Sequence, residues 1–354
     1  MLSEMDGRIV IDRTKADIDV TGKIDGVPAD IVMVQPFGGL ATQSRDIVLK
    51  LSDADRQRIA PGLEPLVSGI TSVYVKSQAE GESMAVEADL SEAELSLPWI
   101  GWAKGSGISA KSVFDLVLSD DETQISNFEL DGGSFFAEGD IKVSDAGLQH
   151  ARFGRVRLNE SDDITVAIEA EGEGYKVDVT GRSFDARALI RHVREQLKVE
   201  NPEKGVPVDL TASIAKVTGF GDETLRDLKL FMRYDGSDIV EVTASGMTAS
   251  GFPFSADLKG AAANRVITAE SLDAGELLRF LDIYGQVRGG IITLTLKAIG
   301  ENVLSGDAVL TDFRIFNEPR LNALVSSESQ GSASLNDAIE REIDTREVEF
   351  DRAA

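Results

Sequence analysis

The stretch "GIITLTLKAIG" at residues 290–300 alternates apolar and polar side chains with a period of two. Ile292 and Leu294 share one parity, while Thr293 and Thr295 occupy the other. In a β-strand, successive side chains point to opposite faces of the sheet. The stretch therefore predicts a strand with one apolar and one polar face, a pattern that antiparallel sheets permit and buried parallel sheets do not.

The same alternation recurs along the chain and is separated by turn-forming residues. "DGG" at 131–133 and "YDGSD" at 234–238 are two such separators. We therefore predict a mainly β fold, a long antiparallel meander of roughly two dozen strands. The clearest further strand runs are 83–90, 163–172, 174–181, 226–236 and 252–260.

The composition excludes several classes of function. The 354 residues include 61 acidic and 36 basic side chains, which gives a formal net charge of −25. Binding to nucleic acid needs clustered cations, so nucleic acid is excluded as a partner. The chain has no cysteine, which removes disulfides, thiol catalysis and cysteine-ligated zinc.

Two stretches interrupt the strand pattern with helical spacing. "LDAGELLRFLDIYG" at 272–285 and "RSFDARALIRHVREQL" at 182–197 align at an offset of 88 residues. Asp273 is placed to cap the first helix with Glu276 as its capping-box partner, and Asp185 is placed to cap the second. Short helices of this kind must pack on an apolar surface, and here that surface is the sheet. The predicted covering residues are Ala186, Leu189, Ile190, Val193, Ala274, Leu277, Leu278 and Leu281.

Weaker copies of the same Leu/Phe-(Ser/Asp/Glu)-Ala element occur at 90–95 and 51–59. Recurrence of one supersecondary unit indicates a repeat architecture, here with modules of about 90 residues. Short amphipathic helices are expected between the modules. The predicted modules are an N-terminal β module at 1–87, a β module at 88–180, a helix plus β module at 181–268, and a C-terminal module at 269–354.

A twisted sheet of this length coils, and its apolar face then has two possible fates. It either stays open as a lengthwise groove, shaped for hydrocarbon, or closes against a second sheet as an ordinary sandwich core. The residues predicted to line a groove are Val86, Ala88, Leu90, Val166, Ile168, Val177, Val179, Leu228, Leu230, Phe252, Phe254, Ile292, Leu294 and Leu296.

The stretch at 269–321 resembles the AsmA-like proteins, most closely those of the YhdP type. The resemblance is carried by a "DAG-x-LL" helix at 273–278, a "GG" pair at 289–290, and a strand at 306–313 that ends in "DF". Segments 206–236 and 88–107 resemble earlier modules of the family. Together the similar part covers about residues 85–321, with a looser match before it.

The resemblance implies a coiled open β-groove and a protein that carries phospholipid between the membranes of the Gram-negative envelope. It implies a periplasmic location, attachment to the inner membrane in full-length relatives, and envelope membrane proteins or further AsmA-like modules as partners. The sequence itself contains no apolar run long enough for a membrane helix and no signal peptide. Because strand alternation begins almost at the first residue, we expect a piece cut from a longer protein or a short paralogue.

No catalytic residue, metal site or cofactor is predicted. "GSGISAKS" at 105–112 lacks one glycine of a phosphate loop and precedes a strand pattern, and Trp99 and Trp102 before it are expected to plug a sheet edge. His150 and His192 lie far apart in sequence, which argues against a shared site.

Arg191 and Arg279 recur at one position of the repeat. They are interpreted as cations on the surface or at the open edge, or lip, of the groove. A more specific hypothesis is that they contact a lipid headgroup. The chain is thus predicted to be a non-enzymatic lipid-handling protein. The alternatives are an acidic β-sandwich scaffold that docks a basic partner, or a non-functional fragment of a larger AsmA-like protein.

Overall fold

The computed structural model describes residues 2–37, 44–59, 62–78, 83–196, 204–300, 303–318 and 347–354. Within these ranges the chain is mainly β, as the alternation predicts. It divides into two compact units, the first formed by residues 1–170 and 191–196, the second by 171–190 and 197–354. The four predicted modules remain a prediction, because this division does not test their boundaries.

The first unit contains fourteen strands and one α-helix in its described part. These are β1 (Leu2–Ile11), β2 (Lys15–Ile24), β3 (Val27–Pro36), β4 (Ser44–Leu51), α1 (Asp53–Ile59), β5 (Val67–Gly69), β6 (Thr71–Gln78), β7 (Ser83–Asp89), β8 (Ala93–Leu97), β9 (Trp102–Lys104), β10 (Lys111–Leu118), β11 (Glu122–Asp131), β12 (Phe136–Ser144), β13 (Gly147–Arg157) and β14 (Asp163–Glu171). A short 3-10 turn, Pro98–Ile100, joins β8 to β9.

From Gly174 onward nine more strands are described. These elements are β15 (Gly174–Asp185), α2 (Arg187–Gln196), β16 (Val208–Thr218), β17 (Thr224–Tyr234), β18 (Ile239–Thr248), β19 (Pro253–Lys259), β20 (Val266–Ser271), α3 (Ala274–Phe280), β21 (Val287–Gly300), β22 (Val303–Phe316) and β23 (Glu347–Ala353). A second 3-10 turn, Ala262–Asn264, precedes β20.

Each unit is built on one ladder of paired strands. In the first unit, antiparallel pairing runs through β1, β2, β3, β4, β6, β7, β10, β11, β12, β13 and β14. The short strands β5, β8 and β9 form a separate three-stranded sheet. In the second unit, β15 to β23 pair in chain order. Neither ladder closes on itself in the described residues.

The second ladder departs from the predicted antiparallel meander at one pair. β15 and β16 run parallel, with Tyr175 opposite Val208 and Val179 opposite Ala212. A parallel neighbour requires the chain to cross back to the starting end of the strand, and α2 lies in that crossover. Alternation within each strand does not encode strand direction, so the sequence pattern left this pair undetected.

All four copies of the Leu/Phe-(Ser/Asp/Glu)-Ala element, in which one or two polar residues precede the alanine, coincide with a departure of the chain from its ladder. After Leu51 the chain forms α1 and β5, and after Leu90 it forms β8 and β9 before β10 resumes the ladder. After Asp185 it forms α2, and after Ser271 it forms α3. The copy at 90–95 is thus followed by a strand rather than a helix. What the copies share is an excursion between two strands of the ladder.

Several bulges bend strands of the ladders, and those at Asn127 and Asp227 share the same backbone conformation. Asn127 and Asp227 both have a φ of 51°, in the left-handed region that few residue types adopt. The β11–β12 register shifts next to Asn127, and the β17–β18 register shifts next to Asp227. The backbone N–H of Asn127 donates to the carboxylate of Asp140 at 3.1 Å. An extra residue on one strand increases the local right-handed twist, so these bulges add curvature within each ladder.

The buried core of each unit lies where the excursions return to the sheet. In the first unit the core consists of Ala88, Leu90, Ala93, Leu95, Ala110 and Phe135. In the second unit it consists of Ala186, Ile214, Val217, Leu225, Phe254 and Phe280. Each core therefore covers the apolar face at one end of the strands that it contacts. The rest of that face lies outside the core.

Two buried cations hold the excursions of the first unit. The guanidinium of Arg56 donates to the carbonyl oxygen of Gly69 at 2.7 Å and to that of Leu51 at 3.3 Å. The ammonium of Lys104 donates to the carbonyl oxygens of Leu90, Ser91 and Ala93. In both excursions a leucine at the end of the sheet strand supplies one acceptor: Leu51 is the last residue of β4, and Leu90 directly follows β7. Cationic donors thus satisfy carbonyl groups that leave the ladder, as buried polar groups require.

A candidate apolar binding face

Three adjacent rows of apolar side chains cross the ladder of the second unit. Directly opposite residues of paired strands point to the same face, so the strand register defines each row. The middle row, called here the small-residue row, is rich in alanine. It contains Val179, Ala212, Leu230, Ala244, Ala256, Ala269, Leu294 and Ala308, each directly opposite the next.

Larger side chains flank this row on both sides. One flank, the lip row, contains Val177, Leu210, Met232, Val242, Leu258, Ile267 and Leu296. The other flank, the helix row, contains Ile214, Leu228, Phe254, Ser271, Ile292 and Leu310, with Gly246 between Leu228 and Phe254. The alanine-rich row therefore lies between two rows in which most side chains are larger.

Burial differs between the two flanks. In the helix row Ile214, Phe254 and Ser271 are buried, because the excursion residues around α3 pack on that end. Every residue of the lip row is only half-buried, and so are Ala244 and Ala256 of the small-residue row. Apolar side chains that stay half-exposed along several strands are uncommon in a closed core. The face is therefore covered at one end and accessible at the other.

The first unit carries a similar row across ten strands. Its members are Val20, Ile31, Ile47, Val75, Val86, Phe114, Phe128, Gly139, Phe153 and Val166. The ring centroids of Phe114 and Phe128 lie 6.3 Å apart, and those of Phe128 and Phe153 lie 6.0 Å apart. Apart from Val86 and Gly139, these are half-buried side chains. Both units thus present an apolar face of the same kind.

The opposite face of the second ladder is charged. Along one row Lys176, Asp209, Arg233, Glu241 and Lys259 alternate in sign from strand to strand. The guanidinium of Arg233 lies 3.0 Å from the Asp209 carboxylate and 3.2 Å from that of Glu241. The hydrogen bonds that the Arg233 guanidinium donates to the Asp209 carboxylate raise the pKa of Arg233. This face is therefore solvated, and the two faces of each strand differ as the sequence pattern predicts.

Most of the residues predicted to line a groove lie on these apolar faces. Two of them lie outside the strands, and a third, Phe254 of the helix row, is covered. Leu90 follows β7 and is buried in the first core, and Phe254 is buried in the second core beneath α3. Phe252 precedes β19, in the turn after β18, and is 44% exposed. The reason is local, because the hairpin bond between the Thr248 N–H and the Phe252 carbonyl ends the ladder there.

The two predicted covering helices form, but only some of the apolar residues predicted to cover the sheet pack against it. α3 ends at Phe280, before the end of the 272–285 stretch that shows helical spacing. Leu277 packs on the second core, whereas Leu281 is exposed just after the helix. Ala186, directly before α2, and Ile190 within it pack on the same core, and Val193 is exposed. Leu189 and Leu278 are half-buried.

Hydrogen bonds to neighbouring segments hold α3 in place. The carboxylate of Asp273 accepts the Glu276 N–H at 3.0 Å, which confirms the predicted cap. The predicted reciprocal bond of a capping box is absent from the described contacts, because the buried Glu276 carboxylate instead accepts the Ser250 N–H at 3.1 Å and the Ser250 hydroxyl. Glu276 therefore joins α3 to the β18–β19 hairpin.

Arg279, predicted as a lip or headgroup cation, is engaged within the protein. Its guanidinium forms an ion pair with Glu223 and donates to the Val287 carbonyl oxygen, and both charged side chains are largely buried. Arg191 is exposed on α2. The two arginines that share a repeat position thus have different surroundings.

Glu276→Gln is expected to lower stability at neutral pH by about 1–2 kcal/mol, and to flatten its decline in acid. Burial raises the pKa of Glu276, but the Ser250 and Thr248 side chains, the Ser250 amide and Arg279 outweigh it and hold the pKa below its usual value. A lowered folded-state pKa stabilises the fold above the unfolded-state pKa, and this contribution disappears as the pH falls through the folded value.

Denaturant midpoints measured from about pH 7 to pH 3 check this expectation. The exposed Glu270→Gln is the matched control and should leave the profile unchanged. Identical pH profiles for the wild type and Glu276→Gln would contradict the role given to Glu276.

The other motifs considered in the sequence gain no functional contacts. Lys111 begins β10, so the near-match to a phosphate loop runs directly into a strand, as predicted. Trp102 donates from Nε1 to the Leu158 carbonyl at 2.8 Å and packs edge-on against Phe135, while Trp99 is exposed. A depression of about 450 Å³ lies on the polar side of β10 and β11, with Lys111 and Glu129 in its lining.

The described residues lack two further features. They contain no group of three or more His, Asp or Glu side chains arranged to hold a metal ion. Nor do they include a helix whose length and apolarity would allow it to cross a membrane.

The alanines of the small-residue row were missed by the sequence analysis. Ala244, Ala256 and Ala269 each lie on the apolar parity of their strand, next to larger residues of the same parity. The sequence did contain a signal for these alanines, because large and small residues alternate along the apolar parity of each strand. Recognising that the small residues align requires the cross-strand register, which alternation does not supply.

The chain was compared with known proteins, and it matches no family model, no curated protein and no solved structure.

Proposed function

We propose that this chain binds the hydrocarbon tails of phospholipids along its apolar faces and lets them pass from strand to strand, without enzymatic chemistry. The observation that carries the proposal is the small-residue row of the second unit with its half-buried lip row. In this proposal each apolar face is the floor of an open groove, built from modules of about 90 residues.

The dimensions suit a fatty tail. Eight strands carry the small-residue row, and at about 4.8 Å between neighbours the row is about 34 Å long. One leaflet of a bilayer has a hydrocarbon depth of about 15 Å, half of the whole core. A single tail therefore fits along the row with room to move, while its headgroup stays in water beyond the lip row.

The energetics favour binding without specific bonds. Each methylene removed from water contributes about 0.8 kcal/mol, and an open face removes only part of each methylene's surface. Since neighbouring positions along the row offer similar side chains, the binding energy changes little as a tail slides. No energy source is required, so the chain acts as a conduit and a membrane or partner at each end sets the direction.

The resemblance to AsmA-like proteins supports the cellular setting of this proposal. Following that resemblance, we propose the periplasm of a Gram-negative envelope as the location, envelope membrane proteins or further AsmA-like modules as partners, and outer-membrane lipid supply as the process served. The role of the chain there is passive transport or maintenance of envelope integrity.

Detergent-free purification followed by mass spectrometry of an organic extract tests the proposal. We expect phospholipid in amounts at least equal to the protein, with little preference for one headgroup. Natively folded protein that is free of lipid would contradict the proposal. If lipid-free protein instead formed a complex with a basic partner, and high salt dissociated that complex, the charged face would be the functional one.

A further inference from the structure

The hairpin formed by β8 and β9 extends from the core of the first unit and ends in an exposed apolar turn. Ala93 and Lys104 at the base of the hairpin are buried, whereas Trp99, in the 3-10 turn at the far end, is 64% exposed. Leu97 and Ile100 on either side of Trp99 are half-buried. Exposure thus rises from the core to the turn, and a bulky indole ring is left in contact with water.

A second apolar turn lies beside this one. β5 pairs with β8, and the backbone N–H of Ser96 donates to the Leu66 carbonyl oxygen at 2.9 Å. Leu63 in the second turn is 39% exposed. The two turns, residues 63–66 and 97–100, are called here the apolar tip.

The base of the hairpin holds the apolar tip in one arrangement. The indole N–H of Trp102 donates to the Leu158 carbonyl oxygen at 2.8 Å, and its ring packs edge-on against Phe135. Gly101 ends the 3-10 turn with a φ of 66°, a left-handed conformation that glycine adopts without strain. Because the turn is already ordered, binding through it costs little conformational entropy.

The charge around the apolar tip differs from that of the rest of the chain. Residues 95–114 contain no Asp or Glu, the longest such run in a chain with a net charge of −25, and they include both tryptophans. The two turns of the tip carry one charged side chain, Glu64, whose carboxylate accepts the Gly62 N–H at 2.7 Å. A strongly acidic chain thus presents an apolar and nearly uncharged surface at this point.

The size and the chemistry of the apolar tip favour a membrane over a protein partner. A stable protein interface takes about 20–30 residues from each side, far more than the two four-residue turns provide. Tryptophan is enriched at the boundary between hydrocarbon and water, because its ring is apolar while its N–H needs a polar partner. The net charge of the chain is repelled by anionic lipid, so the matching surface is one of zwitterionic phospholipid.

We propose that the apolar tip inserts into the interface of a zwitterionic phospholipid membrane and attaches the first unit to it. Trp99 and Leu63 are the side chains that enter. Only a few side chains insert and no exposed cation of the tip binds headgroups, so the attachment is weak and reversible. It depends on the tip alone and holds whether or not the apolar faces of the ladders carry lipid.

Co-flotation with vesicles of phosphatidylcholine measures this attachment. We expect a bound fraction that rises with lipid concentration and falls as phosphatidylglycerol replaces phosphatidylcholine, because the acidic chain is repelled by an anionic surface. Trp99→Ser should lower the partition coefficient about tenfold or more. Tyr74→Ser is the matched control, since Tyr74 is 40% exposed on the polar face of the ladder, opposite Glu87, and should leave the coefficient unchanged.

Fluorescence shows whether the tip itself enters the membrane. Phosphatidylcholine that is brominated on its acyl chains should quench the indole emission of the wild type. Trp99→Phe keeps an aromatic ring, so it should retain most of the binding and lose most of the quenching, because the remaining Trp102 lies at the base against Phe135. Thermal denaturation confirms that each variant is folded.

Three results would overturn the proposal: wild-type protein that does not float, stronger flotation with phosphatidylglycerol, or equal flotation of Trp99→Ser and the wild type. A dimer that forms without vesicles and is dissociated by Trp99→Ser, in a protein that does not float, would assign the tip to a second copy instead. Trp99→Ser should keep its co-purifying phospholipid, so this test and the test of lipid binding along the ladders can fail separately.

Discussion

Leu294→Asp is expected to lower the amount of phospholipid that co-purifies with the chain by about tenfold or more. Leu294 lies in the small-residue row, directly opposite Ala269 and Ala308, on the accessible part of the apolar face. A carboxylate there keeps its hydration shell and prevents a tail from lying flat across it. The side chain of aspartate is too short to carry its charge past the lip row into water.

The control is Ser213→Asp on the charged face of the same ladder. Ser213 is exposed and lies opposite Lys229, so the added carboxylate gains an oppositely charged neighbour. The two variants carry the same added charge on opposite faces. Equal lipid content in both would show that the apolar face does not hold the lipid.

Adding a large apolar side chain to the small-residue row, without adding charge, separates the effect of shape on lipid binding from the effect of polarity. Ala256→Trp projects a large apolar side chain from the middle of the small-residue row, where Ala256 is half-buried. We expect it to reduce bound phospholipid while the fold is kept, because space along the row is lost and hydrophobicity is not. An unchanged lipid content in Ala256→Trp would argue against a tail lying along this row.

Lys104→Met is expected to destabilise the first unit by about 2–3 kcal/mol. Lys104 is 2% exposed, and its ammonium donates to three backbone carbonyl oxygens in the segment that follows β7. Methionine has a similar length and no donor, so these buried acceptors lose their charged partner. Burial lowers the pKa of Lys104, and the charges of Asp89 and Glu94 oppose this effect. Methionine avoids the cost of burying a charge, but this gain offsets only part of the stability lost with the three hydrogen bonds.

Denaturant unfolding monitored by far-ultraviolet circular dichroism measures the effect, with Lys111→Met as the control. Lys111 is exposed and pairs with Glu87 on the polar face, where an ion pair contributes about 0–1 kcal/mol. The loss in Lys104→Met should appear first as faster hydrogen exchange in β8 and β9. If both variants unfold at the same denaturant concentration, the carbonyl contacts of Lys104 are not stabilising.

Leu294→Asp and Lys104→Met test two different properties of the fold. Leu294→Asp tests whether the part of the apolar face outside the cores binds lipid. Lys104→Met tests how much the contacts of Lys104 stabilise the segment between β7 and β10. A chain that exposes a long apolar face must stabilise itself elsewhere, and buried cations at Arg56 and Lys104 meet part of that requirement by satisfying carbonyl groups without enlarging the core.

Much of the secondary structure could be predicted from the sequence. β7, β14, β15, β17, β19 and β21 lie on the runs that the alternation predicts. The cap at Asp273 and the return to strand at Lys111 were also predicted and confirmed. These features are local, because a strand's two faces, a helix cap and a turn depend on residues only a few positions apart.

The sequence alone determined which side of each strand is apolar, since parity follows from neighbouring residues. Only the tertiary structure decided which residues of different strands stand side by side. That register aligns Ala244, Ala256 and Ala269 into one row, and a slip by a single residue would turn every one of them to the charged face. The parallel pairing of β15 with β16 and the carbonyl partners of Lys104 were likewise decided by long-range contacts, because strand direction and the destination of a long side chain leave no periodic trace in the chain.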